Sequence, residues 1–256
     1  MIIFVGLLGL IFGSFATAVA YRVPRKIEIG GRSRSRCPNC GRTLTALENV
    51  PLVSYIALRG RCRRCGVRIS PRYPLIELAT GILFAGAAAK FGYSLETAVF
   101  AGFFWVLIVL TTIDLELKLL PNRIVYPAFV AGWIGLALVA LIDREPGRLL
   151  DAALGAVIFG GFFFLLAFVY PAGMGGGDVK LAFVLGTFLG YLGGIGITVV
   201  GMFLAFLLGG VIGGIVMLAT GGGRKMQVPF GPFLAAGAVA AVFAGRAILD
   251  TYLAGF

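Results

Sequence analysis

The chain contains no histidine. That absence removes Ser-His-Asp and Cys-His catalysis, the histidine-based zinc peptidases and any imidazole proton shuttle. Acid–base chemistry must fall to carboxylates, lysine, tyrosine or cysteine. Acidic residues are themselves scarce, 11 Asp and Glu against 22 Lys and Arg in 256 residues. Only four cysteines are present, and all lie in one loop. No dinucleotide-type glycine fingerprint sits on a strand–helix turn, and no polar segment is long enough to host such a domain. A secretory signal carries positive charge ahead of its apolar run. Here no basic side chain precedes the first run, and Arg22, Arg25 and Lys26 follow it. The expectation is therefore an uncleaved membrane helix, although Ala18-Val19-Ala20 resembles a cleavage site.

What the chain has in abundance is apolar sequence. Hydrophobic residues make up 59% of it, and the mean hydropathy is +1.00. A soluble domain is roughly half apolar. The excess lies in continuous runs, and a helix of about 20 residues crosses a bilayer. A barrel would show weak alternating segments instead. The expected fold class is an all-α polytopic membrane protein of about eight transmembrane helices. The spans are read as residues 2–20, 75–91, 95–113, 124–142, 152–170, 179–193, 195–220 and 230–252. Only the glycine cluster Leu192-Gly193-Gly194-Ile195-Gly196 divides the sixth from the seventh. Three zones follow: a first helix (1–20), a polar module (21–73) and a membrane bundle (74–256). No internal repeat stands out.

The formal net charge is +11. In a soluble protein that would suggest nucleic acid; here the positive-inside rule accounts for it. With eight spans, all Lys and Arg but Lys90, Arg144, Arg148 and Arg246 fall on one side. The reading is a multi-pass protein of a bacterial cytoplasmic membrane, with its N-terminus outside and the polar module in the cytoplasm. The basic loop is expected to lie on anionic headgroups, with lipid and not nucleic acid as its partner.

The cysteines form Cys37-Pro38-Asn39-Cys40 and Cys62-Arg63-Arg64-Cys65. Paired C-x2-C motifs supply four thiolates at about 2.3 Å from a tetrahedral zinc. Four thiolates close the coordination shell, so the expected Zn2+ is structural. It would fold a loop too short to build its own core. The competing reading is four free or transiently oxidised thiols.

Most acidic residues have ordinary explanations. Asp143, Glu145 and Asp151 fall in an external loop, and Asp250 lies near the outer end of the last span. Glu77 and Glu96 are assigned to first helical turns, where negative charge suits the helix dipole. Asp114 and Asp178 are different. Asp114 ends the third span and Asp178 begins the sixth, and charge at membrane depth tends to be functional. Two crossings lie between them, so both reach the same face, read here as the cytoplasmic one. Gly175 and Gly177 belong to a glycine-rich approach that permits unwound backbone and a close neighbouring chain. Two carboxylates in one site share a proton. The ionised one can take a proton from water while the protonated one polarises a carbonyl. Lys180 lies two residues past Asp178, where it can act on that carboxylate or snorkel to the interface. An alternative use of the same aspartates is a proton or cation relay in a transporter.

Gly175-Gly176-Gly177-Asp178 matches the G-x-G-D motif of membrane aspartyl proteases, a class that includes presenilin and prepilin peptidases. Further segments resemble the prepilin peptidase family in order along the chain. They are Gly13-Ser14-Phe15, Tyr21-Arg22-Val23-Pro24, the first cysteine pair, Asn49 to Tyr55, Leu58 to Cys62, Ile69 to Pro74 and Pro229 to Phe233. The resemblance implies an aspartic endopeptidase with Asp114 and Asp178 as its catalytic pair. It would cleave basic leaders from type IV prepilins and type II secretion pseudopilins. It would then methylate the new N-terminal amine with S-adenosyl-L-methionine. The cysteine module is associated with the bifunctional members. One departure is local: the family often has Trp and Asp-Asn before Ile-Pro, where this chain has Ala46-Leu47-Glu48-Asn49 before Val50-Pro51. Glu48 keeps the charge on a longer arm. With Glu28 and Glu116 it is an acidic candidate for meeting a basic leader. A peptidase without methyl transfer is the alternative within the family.

Overall fold

A computed structural model describes residues 1–29, 35–171, 174–220 and 229–255. The described chain is helical, with two isolated β-bridges. Its elements are α1 (Ile2–Arg22), a 3-10 turn (Leu47–Asn49), α2 (Val53–Ala57), α3 (Arg72–Phe91), α4 (Leu95–Leu117), α5 (Asn122–Asp143), α6 (Gly147–Val169), α7 (Gly176–Thr220) and α8 (Gly231–Leu253). Among the described residues, seven helices are long and apolar enough to cross a membrane. Their outer faces expose Ile3, Ile82, Leu141, Leu165, Phe168 and Leu218. In water such faces would drive aggregation; lipid is the solvent that suits them.

The eight expected spans meet seven helices because α7 is two helices joined end to end. Gly193 (φ −170, ψ 33) and Gly194 (φ 65, ψ −154) leave helical geometry. Only glycine adopts the second conformation without cost. A Cβ on Gly201 would run into Leu189. A straight helix would hold those positions about 18 Å apart. The chain therefore doubles back at the glycine pair, where the sequence placed the division.

The chain divides into two compact units, Met1–Thr112 and Ile113–Phe256. In the first, α1 packs along α3 at backbone distance. A Cβ on Gly9 would lie 2.7 Å from Phe84 Cβ, and one on Gly13 would lie 2.6 Å from Glu77 Cα. Small residues allow this approach in lipid, where dispersion and hydrogen bonds hold helices together. Trp105 adds a tie from α4, donating Nε1–H to the Phe12 carbonyl at 2.9 Å and stacking on Phe15.

Glu77 corrects an expectation. α3 begins at Arg72, earlier than hydropathy suggested, so Glu77 lies beyond the first turn and not at its dipole. It is buried, 8% exposed. Its Oε2 accepts the Leu52 N–H at 2.8 Å. Leu52 occupies a γ-turn of positive φ (59, ψ −49), closed by Val53 N–H to the Pro51 carbonyl at 2.6 Å. That turn is rare and strained. Glu77 thus fixes the polar loop to the membrane helices at the point of strain. Glu77→Ala leaves a half-buried N–H without its acceptor, an expected loss of about 1 kcal/mol. A lower thermal midpoint in detergent checks this, and Glu77→Gln, which keeps an acceptor oxygen, loses less.

In the second unit, α7 packs between α6 and α8, with α5 also against it. Gly155 of α6 meets Gly186 and Gly190 of α7 backbone to backbone. Phe163, Phe206 and Phe230 form a ring cluster with centroids 5.5–6.0 Å apart. Phe230 is the residue immediately before α8. The cluster therefore fixes where α8 starts.

Candidate active site and metal centre

Asp114 sits in the last turn of α4 and is buried, 5% exposed. Beyond it Lys118 takes a positive φ of 51 and donates its N–H to the Asp114 carbonyl, ending the helix. The chain then turns so that buried Leu120 comes back under the site. Leu120 packs against a glycine beside each carboxylate. Its Cβ would lie 2.9 Å from a Cβ on Gly177, and its Cδ1 would lie 3.6 Å from one on Gly231. Asp178 stands in the first turn of α7, half-buried, with its N–H on the Gly175 carbonyl at 3.0 Å. Gly177, next to Asp178, and Gly231, which bonds Asp114, both pack on Leu120. The fold thus brings both predicted aspartates to one end of the second unit.

Gly231 is the residue that sequence reasoning missed. Its N–H donates to Asp114 Oδ2 at 3.1 Å, in a buried bond. It is the first residue of α8, and Pro232 follows. The first N–H groups of a helix have no partner inside it, and the helix dipole favours an anion there. A Cβ at this position would come within 2.6 Å of Asp114 Oδ2. The signal was present in Phe230-Gly231-Pro232, a glycine followed by proline at a helix start. Its partner was not readable, because it lies 117 residues away.

The supporting glycines serve different purposes. A Cβ on Gly175 would sit 3.3 Å from Asp178 Oδ2, so Gly175 leaves that oxygen open. Gly177 makes room for Leu120. Lys180 turns away from the pair. Its Nζ donates to Asn122 Oδ1 at 2.9 Å and lies 5.4 Å from the Tyr126 ring centroid. Among the described residues no ion pair joins it to either aspartate.

The four cysteines lie in the first unit. Their Sγ atoms are all within 4.8 Å of one another, with Cys37 and Cys65 3.8 Å apart. A disulfide needs about 2.05 Å, whereas a tetrahedron with ligand bonds of about 2.3 Å has edges of about 3.8 Å. The sulfurs are spaced as ligands. Two hairpins build the cluster, and they are one construction used twice. In the first, Arg36 bridges Thr43, Cys37 N–H meets the Arg42 carbonyl and Gly41 N–H meets the Cys37 carbonyl. In the second, Arg61 bridges Arg68, Cys62 N–H meets the Val67 carbonyl and Gly66 N–H meets the Cys62 carbonyl. Gly41 and Gly66 both take positive φ (67 and 69), as the knuckle turn requires. This repeat is too short for composition to reveal.

The thiols share charge unevenly. Cys65 is lowered to about 6, first by the Val67 N–H and then by the Asn39 side chain. At Cys40 the Arg42 N–H lowers the thiol, but burial and the sulfurs of Cys37, Cys65 and Cys62 outweigh it, and the thiol rises to about 11. One sulfur readily carries negative charge and its neighbour resists a second. A divalent cation removes that conflict, so the donor set fits a metal of zinc type.

Glu48 is turned inward beside the first hairpin. It pairs with Arg42 and accepts the Thr45 N–H at 2.9 Å and the Thr45 hydroxyl at 3.0 Å. Those bonds, the Thr45 N–H foremost, hold it below the usual carboxylate range.

Fold and site together define a class, a polytopic helical membrane protein with two neighbouring carboxylates at one end of a bundle. Residues 7–91 match the bacterial peptidase A24 N-terminal domain, and residues 101–218 match the type IV leader peptidase family. A prepilin leader peptidase/N-methyltransferase of Bacillus subtilis is 36% identical over 96% of this chain and 95% of its own length. A protein of that name from Pseudomonas aeruginosa is 34% identical over 98% of this chain and 93% of its own. One from Myxococcus xanthus is 40% identical over 86% of this chain and 64% of its own. The chain belongs to the type IV leader peptidase family. No solved structure matches it.

Proposed function

We propose that the protein cleaves the basic leader from type IV prepilins and type II secretion pseudopilins and then methylates the new N-terminus. The observation that carries the peptidase is the packing of Leu120 against Gly177, beside Asp178, and against Gly231, which bonds Asp114. The pair holds one proton between them. The ionised carboxylate takes a proton from water, which attacks the scissile carbonyl. The protonated carboxyl hydrogen-bonds the carbonyl oxygen as it gains charge. When the C–N bond breaks, the departing amine takes up a proton, and the pair returns to its starting state. The Gly231 N–H keeps Asp114 in one orientation, so no reorganisation is needed at the reacting centre.

The methyl transfer rests on what the relatives are named for. S-adenosyl-L-methionine, when bound, would supply the methyl group to the freed amine. The module of residues 21–73 is assigned to this half, with Cys37, Cys40, Cys62 and Cys65 holding Zn2+. The charge distribution supports a cytoplasmic module and cytoplasm-facing aspartates in a bacterial inner membrane. The leader would then lie in the cytoplasm and the pilin's apolar helix in the bilayer. Incubating purified protein with a prepilin and following intact mass tests both halves: leader loss reports the peptidase, and an added methyl mass reports the transferase.

Gly231→Ala probes the positioning of Asp114. The added methyl displaces the carboxylate, and a shift of about 1 Å costs on the order of 100-fold in rate. A drop of that size in kcat/KM for prepilin, with the protein still folded, is the expected result.

A further inference from the structure

We propose that a cleft beside the second cysteine hairpin is an oxyanion site, taking a phosphate or carboxylate group. The cleft measures about 530 Å³ and is lined by Tyr55, Arg59, Gly60, Arg61, Arg68 and Ser70 among others, with no acidic side chain in its wall. Three arginines, a tyrosine and a serine thus share one wall. Among the described residues none of the three arginines has an acidic partner. The contrast lies next door, where Arg42 of the first hairpin is paired with Glu48.

The repeat between the hairpins sharpens the point. Arg36 and Thr43 face each other in the first bridge, but Arg61 and Arg68 do so in the second. Like charges directly opposite are destabilising. The second hairpin tolerates such a pair where the first does not use one, and an anion held between the two guanidiniums removes the penalty. The backbone is also specially built. Arg59 takes a positive φ of 50 and Gly60 one of 64. Gly60 is buried, and a Cβ there would sit 2.9 Å from the Tyr55 hydroxyl. Non-glycine residues with positive φ carry strain that functional sites retain. Here the turn carries Arg59 in the wall and leaves Gly60 room for the Tyr55 ring.

The location admits two sources for the anion. Pro71, also in the wall, immediately precedes membrane helix α3, so the cleft lies at the end of a span, the level of lipid phosphates. The other source is the carboxylate of the methyl donor, an arm that rests on the proposed function.

The test uses the full-length, metal-loaded protein and the Arg61→Gln/Arg68→Gln variant, with metal content as the control for folding. Arg59→Gln replaces the double variant if metal is lost. Native mass spectrometry reads phosphatidylglycerol against phosphatidylcholine retained from mixed micelles. Equilibrium dialysis reads inorganic phosphate and S-adenosyl-L-methionine. The expected result is retention of at least one anion that falls about tenfold or more in the variant. A loss confined to phosphatidylglycerol identifies a lipid phosphodiester, and a loss confined to S-adenosyl-L-methionine identifies a carboxylate. Equal binding of every probe by wild type and variants overturns the proposal, as does a wild type that binds none of the anions in preference to phosphatidylcholine. A protein that cleaves and methylates normally but lacks arginine-dependent binding sinks this inference alone. One that binds through the arginines yet neither cleaves nor methylates sinks the proposed function instead.

Discussion

Asp114→Asn and Asp178→Asn each reduce leader cleavage by about three orders of magnitude or more, with the protein still folded. Asparagine preserves size, and its carbonyl can still accept the Gly231 N–H that Asp114 now holds. What it cannot do is exchange a proton with water or with its neighbour. The two carboxylates act as one acid–base unit, so the double variant should be little worse than either single. Cleavage is read by intact mass, and methylation of a pilin already freed of its leader is read alongside it. Methylation that persists while cleavage vanishes separates a dead site from a collapsed protein. Cleavage that survives both substitutions would remove the pair from the mechanism.

The second large effect lies in the other unit. Stripping metal with a chelator, or replacing Cys37 and Cys62 by serine, should unfold the cysteine module. Structural zinc contributes apparent binding energy of about 10–16 kcal/mol in small domains, far more than the short 3-10 turn and α2 can supply by packing. Loss of methyl transfer and rapid proteolytic nicking of the loop are the expected readings. Acid works in the same direction. Thiolate ligands must be deprotonated, so protons compete with metal and retention falls as pH falls. Metal content measured across pH checks the sign. A module that stays protease-resistant and active without metal would contradict the assignment.

The parts of this fold that the sequence disclosed are those set by short-range chemistry. Apolar runs located the spans because lipid demands length and continuity. The glycines at 193 and 194 marked a reversal because one of them needs a positive φ. C-x2-C spacing pointed to four sulfurs that the fold gathers within 4.8 Å, because a tetrahedral ion would fix their separation. Counting crossings put Asp114 and Asp178 on one face. What stayed hidden depends on partners far along the chain. Glu77 looked like an interfacial charge, since nothing near it in sequence announces the Leu52 turn that it holds. Gly231 was one residue of the family-like segment Pro229 to Phe233, and nothing near it announces its acceptor on α4. Lys180 was read beside Asp178, and only the packing of α5 shows that Asn122 draws it away.

The bond from Gly231 to Asp114 has an evolutionary consequence. Its donor belongs to the main chain, so no exchange of side-chain functional group can retune it. Position 231 is therefore filtered by volume and by the presence of an N–H, which proline lacks. A compound that captured this N–H would engage a group that point mutation can crowd but cannot chemically replace. Resistance arising there would have to pass through a larger residue, and every larger residue presses on Asp114.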